Sequence, residues 1–540
     1  MTRWLPLLTS LLTVLACHVS GEVGDNDGVP ACEGEACGAS DTPGAPGAPD
    51  AGPPPVDAPE PPAPCGGGTL TGNVTLRTAS DLARLAECTA VGGDLTIEGD
   101  ELEVVSVPGL AEVGGTLRIG PTTVLQHVDL SGLVSVGGHI IVGSEYAEVS
   151  GYDNRLLGAV RLDALSSLGG DVLLAHNRDL TAFTLDSLER MAGSIYVFDN
   201  RALVTVELKV LWELGGDLLV GAIYSDDLLT PPTQPNDEIE ALRFPALEVV
   251  HGEVIVAENP TLTELLVPSL LQTGNLSVRD TLHMTALSFP SLEEVAAYLT
   301  IKRHEALAQL DFPKLRRVGD GLEIETLGAL TSLSFPRLEG EGSFFLVDTA
   351  ALETLELPTL DYVHYLGFED NLALTTLDLP RLTSASSFEV RNNDAMTSVS
   401  APLLDGTFYW VTVDDNATLA ELSLPLLGYV GSTLGISTNP ALASLDLTRL
   451  YSVDGPLDIH DNAALGAVSL PELYGIDASL YVYGNASLTA FAAPELSQLG
   501  YGLYVHDNPQ LPACQVSLLL DQVEASEVDL SNNDELATCQ

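Results

Sequence analysis

From about residue 91, apolar and polar positions repeat a single unit of the form Gly-x-Leu-x-Ile-x-x-Asn-x-x-Leu-x-x-Leu-x-Leu-Pro-x-Leu-x-x-Val. Clear copies are GPLDIHDNAALGAVSLPELYGI at 455–476 and ASLYVYGNASLTAFAAPELSQL at 478–499. Aligned on the last Leu of the Leu-Pro-x-Leu step, copies fall at 110, 133, 165, 188, 211, 247, 270, 292, 315, 338, 360, 382, 404, 427, 450, 473 and 496. Fourteen of the sixteen intervals are 22 or 23 residues. Alternation inside the unit means strands, and a fixed period of this length means a solenoid. In a strand such as Leu503-Tyr504-Val505 the outer two residues face inward and the middle one outward. A lone coil cannot bury its apolar face, so stacking must do it. The pattern predicts a mainly β chain: a parallel β-solenoid of about 18 coils, first strands from Leu95 to Leu503, roughly 80 Å long at ~4.8 Å per coil.

Asn at 177, 200, 259, 371, 393, 416, 439, 462, 485 and 508 is expected to turn the corner after the first strand and to bond from coil to coil. Pro at the second corner (108, 245, 268, 290, 313, 336, 358, 380, 402, 425, 471 and 494) lacks a donor and suits a bend. Residues 65–90 and 512–540 read as caps on a 91–511 solenoid. Thr78-Ala79-Ser80-Asp81 offers capping chemistry before a short amphipathic segment, Leu82–Cys88, and Pro512 opens a second helical pattern, Ala513–Val523. Cys65 with Cys88, and Cys514 with Cys539, are expected to staple these caps.

The unit, and above all GNVTLRTASDLARLAECTAVGGDLTI at 72–97, resembles the receptor L-domain family. These leucine-rich β-helical modules occur in the ectodomains of insulin- and EGF-type receptors, and fungal wall-integrity proteins carry similar repeats. The resemblance covers about 65–540 and rests on strand, Asn corner and proline step together. It implies a right-handed β-solenoid that binds partners or builds cell surface, without catalysis. Receptor L-domains are much shorter and alternate with cysteine-rich modules absent here, so hormone binding does not carry over.

The N-terminus supplies an address. Residues 1–17 have Arg3 before a short apolar run ending in Val14-Leu15-Ala16-Cys17, which resembles a bacterial lipobox. Seven cysteines are an odd number for an exported chain, and lipidation of Cys17 leaves six to pair. Residues 18–64, rich in Pro, Gly, Ala and acid, cannot build a core and read as a disordered tether spanning on the order of 40 Å. Within it Cys32 and Cys37 are expected to bridge each other. The expected location is the bacterial cell envelope, lipid-anchored at the outer membrane or cell surface, with secretion as the alternative. Acyl chains would be the only membrane attachment.

Charge narrows the partners. With 76 Asp+Glu against 21 Lys+Arg the formal net charge is −55, which excludes nucleic acid. Yet 45% of residues are hydrophobic and 18% charged, so the chain is no acidic disordered protein. No catalytic, phosphate-binding or paired C-x-x-C motif is present. His251, His304 and His364 belong to different coils and read as turn or surface residues. No cofactor or metal is expected. Asp before the corner Asn at 199, 370, 415, 461 and 507 recurs on every second coil in the last seven, too far apart for one calcium ion to bridge.

Two intervals are long, 32 and 36 residues, through insertions at 143–156 and 221–242 that leave equivalent corners. Between them the outward middle residues are apolar: Ile141, Leu173, Tyr196, Leu219 and Ile255. This stripe, ~19 Å long, with Tyr146, Tyr152 and Tyr224 on the insertions, is the candidate binding face. The expected function is non-catalytic recognition or adhesion, a monomer binding a protein or glycan. The alternatives are an envelope spacer or scaffold, in which the insertions hide the stripe, and a β-helical polysaccharide-acting enzyme.

Overall fold

The computed structural model describes residues 65, 67–144, 154–222, 234–340 and 342–537, and these form a parallel β-solenoid of about 19 turns. Each coil has three short strands. In one coil these are Leu95–Ile97, Val104–Ser106 and Glu112–Val113, before Leu117–Ile119 opens the next. Like strands lie in register, with Leu95 beside Leu117, Thr96 beside Arg118 and Ile97 beside Ile119. The period-2 alternation sends Leu95, Ile97, Leu117 and Ile119 into the core, at most 1% exposed. Each such burial contributes about 1.5–3 kcal/mol against leaving the side chain in water. Leu110, Leu133 and Leu165 of the proline step fill a second inward column. Phe289, Phe312 and Phe335 stack at centroid distances of 5.2 and 5.6 Å in a third.

The stack begins one coil earlier than the repeat, because Val74–Leu76 pairs with Leu95–Ile97. Helix α1 spans Ala79–Leu85, three residues before the amphipathic segment read from the sequence. Thr78 is its N-cap, and the reciprocal bonds with Asp81 fix the start. Cys65 and Cys88 are bridged across this cap, Cα–Cα 5.4 Å. At the other end α2 spans Ala513–Leu520, and Glu527–Asp529 adds a last strand to Gly502–His506. Cys514, on α2, is disulfide-bonded, while its expected partner Cys539 lies outside the described residues. The same holds for Cys17, Cys32 and Cys37.

The corner after the first strand differs from expectation in which residue does what. The left-handed turn is made by the residue before Asn: Asp199, Asp370, Asp415, Asp461 and Asp507 have φ of 50, 59, 56, 55 and 54°. Asp tolerates that region because its short side chain bonds locally. Each Asn is instead fully buried and builds the ladder. Asn416 Nδ2 donates to Asn439 Oδ1 at 3.1 Å and to the carbonyl of Val390 at 3.1 Å, while its own N–H donates to Asn439 Oδ1 at 3.1 Å. The ladder also includes Asn154 and Asn236, which the insertions carry to their far ends. It is continuous from Asn154 to Asn259 and again from Asn371 to Asn533. Between these runs the position holds Thr281, His304, Leu327 and Thr349. His304 is therefore no surface residue: it is 0% exposed.

The third corner, which leads back to the first strand, is Gly-Gly at 114–115, 137–138, 169–170 and 215–216. A Cβ at Gly137 would sit 2.2 Å from the Gly114 carbonyl, and one at Gly169 would sit 2.1 Å from that of Gly137. Backbone stacks directly on backbone in these coils, which favours glycine; other coils take Ala192 and Ala296-Ala297 at the same corner.

Candidate functional site

The apolar stripe is partly closed. Ile141 and Leu173 are 6% and 9% exposed and pack with Ala175, against which Tyr196 and Phe198 lean, as a small cluster separate from the main core. Leu219 and Ile255 are half-buried. Tyr146, Tyr152 and Tyr224 lie outside the described residues.

A different group of side chains lies exposed on the third corner. In most coils seven residues separate the proline-step Leu from the first inward residue of the next strand, as from Leu404 to Val411. After Leu270, Leu338, Leu360 and Leu382 there are six, ending at Leu276, Phe344, Leu366 and Phe388. Every 22-residue repeat has lost its residue here. Three shortened corners follow one another, after Leu338, Leu360 and Leu382, and the two strands of the latter coils fuse into Tyr362–Glu369 and Ser384–Arg391. The next coil returns to full length with Phe408 and Tyr409 where the first coils have Gly-Gly, followed by Trp410 at the position of Thr116 and His139. These rings stand above the receded corners, and the result is a recess of about 650 Å³. Tyr362, His364, Tyr365, Ser386 and Ser387 line it beside the three rings.

The geometry holds the rings in place. Tyr409 N–H donates to the Ser386 carbonyl at 2.9 Å, which seats the corner on the coil before. Phe408, Tyr409 and Trp410 remain 68, 57 and 36% exposed. Trp410 meets Tyr365 edge-on, centroids 6.0 Å apart at 73°, and Tyr365 stacks on Phe345 at 4.7 Å. Gly367 makes this possible, since a Cβ there would lie 2.7 Å from the Tyr365 ring. The Tyr365 hydroxyl donates to Glu389, and burial together with that bond holds its pKa well above the usual phenol range. Tyr362 and His364 are joined hydroxyl to Nδ1 at 3.0 Å.

Beside the recess, Arg391 bonds Asp414 at 3.0 Å and Glu389 at 2.9 Å. Burial raises the pKa of Glu369 and of Asp414, with Arg391 opposing the rise in both. A raised carboxylate can serve as a general acid, but Asp414 is committed to the guanidinium. Among the described residues no group of three or more His, Cys, Asp or Glu is placed to hold a metal ion. Nor is any described helix long and apolar enough to cross a membrane.

No family model and no curated protein sequence matches the chain. Solved structures resemble it only remotely, two among them as follows. A leucine-rich repeat protein from Bacteroides ovatus is 11% identical, covering 60% of this chain and 92% of its own, with a TM-score of 0.21. TLR13, solved in a TLR13–ssRNA13 complex, is 13% identical over 86% of this chain and 91% of its own, with a TM-score of 0.15. The chain is a leucine-rich β-solenoid. Neither likeness is close enough to assign a ligand or an activity.

The stripe reading missed the recess because it followed one column, the middle residue of the first strand. That column returns to aromatic residues at Phe345, Tyr481 and Tyr504. The signal for the recess lay at a corner: a run of 22-residue intervals followed by three consecutive aromatics.

Proposed function

We propose that this chain is a non-catalytic recognition solenoid, a long relative of receptor L-domains, that grips its ligand at the Phe408-Tyr409-Trp410 corner. One observation carries the reading: three large aromatics stand exposed side by side at a corner where no other coil carries more than one Phe, Tyr or Trp. Exposed Trp and Tyr beside a concavity are typical of binding hot spots, because they bring large contact area at little entropic cost. Lipid on Cys17 and the 18–64 tether would hold the solenoid off the cell surface; the lipobox-like sequence and the odd cysteine count support that address. The buried Ile141–Leu173 cluster favours a structural role for the earlier face.

The test uses Trp410 as reporter. The chain has three tryptophans, Trp4, Trp212 and Trp410. With Trp4→Phe and Trp212→Phe, any ligand that binds saturably should shield Trp410 from acrylamide quenching. Saturable binding with Trp410 still fully quenched would contradict the reading.

A further inference from the structure

Further rings lie on the same corner, beyond the recess. Tyr362 shares a column, strand by strand, with Ser384, Gly406 and Tyr429. Tyr451 and Tyr474 occupy equivalent positions in adjacent coils, joined by Tyr474 N–H to the Tyr451 carbonyl at 2.9 Å. Tyr501 stands where Tyr409 does, its N–H bonded to the Ala478 carbonyl as that of Tyr409 is to Ser386. Tyr451, Tyr474 and Tyr501 are about half exposed. From the Tyr362 coil to the Tyr501 coil is six steps, roughly 29 Å at ~4.8 Å each.

Resting on the reading of the recess as a recognition site, we propose that this corner binds an uncharged polysaccharide laid along the solenoid axis from Tyr362 to Tyr501.

Three features select that occupant. First, two of the rings lie flat on the backbone, since a Cβ on Gly428 would be 2.9 Å from the Tyr451 ring and one on Gly367 2.7 Å from that of Tyr365, while Trp410 stands edge-on to Tyr365 as a wall beside them. Flat rings offer the electron-rich face, which suits the C–H face of a pyranose, and the Ser386 and Tyr362 hydroxyls supply partners for its polar edge. Second, strands at this corner are paired on both sides by neighbouring coils, so a peptide finds no free edge for strand addition. Third, charge excludes acidic polymers. After Arg391 the sequence has one further Lys or Arg, Arg449, and it is paired with Glu472 at 2.8 Å. Exposed Asp405, Asp454 and Asp477 flank the rings, so phosphate, sulfate or uronate chains are repelled.

The test is calorimetric titration of the full chain with cellohexaose, xylohexaose, mannohexaose and chitohexaose, against polygalacturonate and decaproline. At least one neutral hexasaccharide should bind saturably, and its trisaccharide should bind at least about ten-fold more weakly; polygalacturonate should not bind. Trp410→Ala should weaken hexasaccharide binding at least about ten-fold and Trp410→Phe much less. Tyr474→Ala should weaken the hexasaccharide and spare the trisaccharide. Unchanged thermal midpoints would show that the variants fold. Failure of all four hexasaccharides to bind overturns the proposal, as does binding indifferent to both alanine variants. Equal loss for short and long chains on Tyr474→Ala overturns the extended path. Decaproline binding that Trp410→Ala abolishes, without glycan binding, overturns the polysaccharide and leaves the recess as a recognition site.

Discussion

His304 Nε2 donates to the Val278 carbonyl at 2.9 Å, the bond that Asn416 Nδ2 makes to Val390, and both reach 26 residues back along the chain. Both ring nitrogens face carbonyls, Nε2 that of Val278 at 2.9 Å and Nδ1 that of Thr281 at 3.3 Å; with the neutral ring's one proton on the nearer, Nε2, Nδ1 accepts from the Thr281 hydroxyl at 2.8 Å. The histidine thus replaces an asparagine in the ladder and satisfies the same backbone group. It brings a titration with it.

Burial holds the His304 pKa below its ordinary value of 6.5, against the two carbonyl bonds that raise it. Below that value the unfolded chain binds a proton that the native chain refuses, so stability falls as pH drops through the ordinary histidine range and is unaffected above it. His304→Asn should remove this slope. From about pH 7.5 to about pH 5 the thermal midpoint of the wild type should fall relative to that of His304→Asn, whatever the difference between them at neutral pH. A constant gap would show that His304 does not titrate against folding.

Asn416→Ala should cost about 2–4 kcal/mol, because it strips donors from the Val390 carbonyl and acceptors from the Asn393 N–H, all in a dry interior. Chemical denaturation measures it directly. A loss below about 0.5 kcal/mol, the scale of an ordinary surface change, would mean the ladder is incidental to stability.

Leu173→Asp should lower stability by about 2–4 kcal/mol, since the side chain packs on Ile141 and Ala175 and the carboxylate would be buried unpaired. Leu219→Asp, on a half-buried side chain, should cost less. Equal thermal midpoints for wild type and Leu173→Asp would show that this face is open.

The periodicity made the fold legible because each inward column repeats one residue class: Leu95, Leu117 and Leu503 are the same position in different coils. Asn154 and Asn236 were hidden because insertions displaced them from the strand that announces the corner. His304 was hidden because a ladder role depends on what lies one coil away, and no local pattern reports that. The recess is a property of differences between coils, a missing residue after Leu360 and Leu382 and an aromatic excess after Thr407. A consensus unit averages such differences away.

The proposed anchor has its own test. Metabolic labelling with a fatty-acid analogue should tag the wild-type chain and leave Cys17→Ser untagged. Equal labelling of both would remove Cys17 from the account and leave the solenoid unattached.

The central claim is that ligand meets the solenoid at the Phe408–Trp410 corner and not at the 141–255 face. Hydroxyl-radical footprinting of the full chain, with and without a saturating hexasaccharide or peptide that binds it, reports both faces in one measurement. Protection should fall on Phe408, Tyr409 and Trp410, with Leu219 and Ile255 unchanged. Protection of Leu219 and Ile255 with Phe408, Tyr409 and Trp410 still fully oxidised would contradict it.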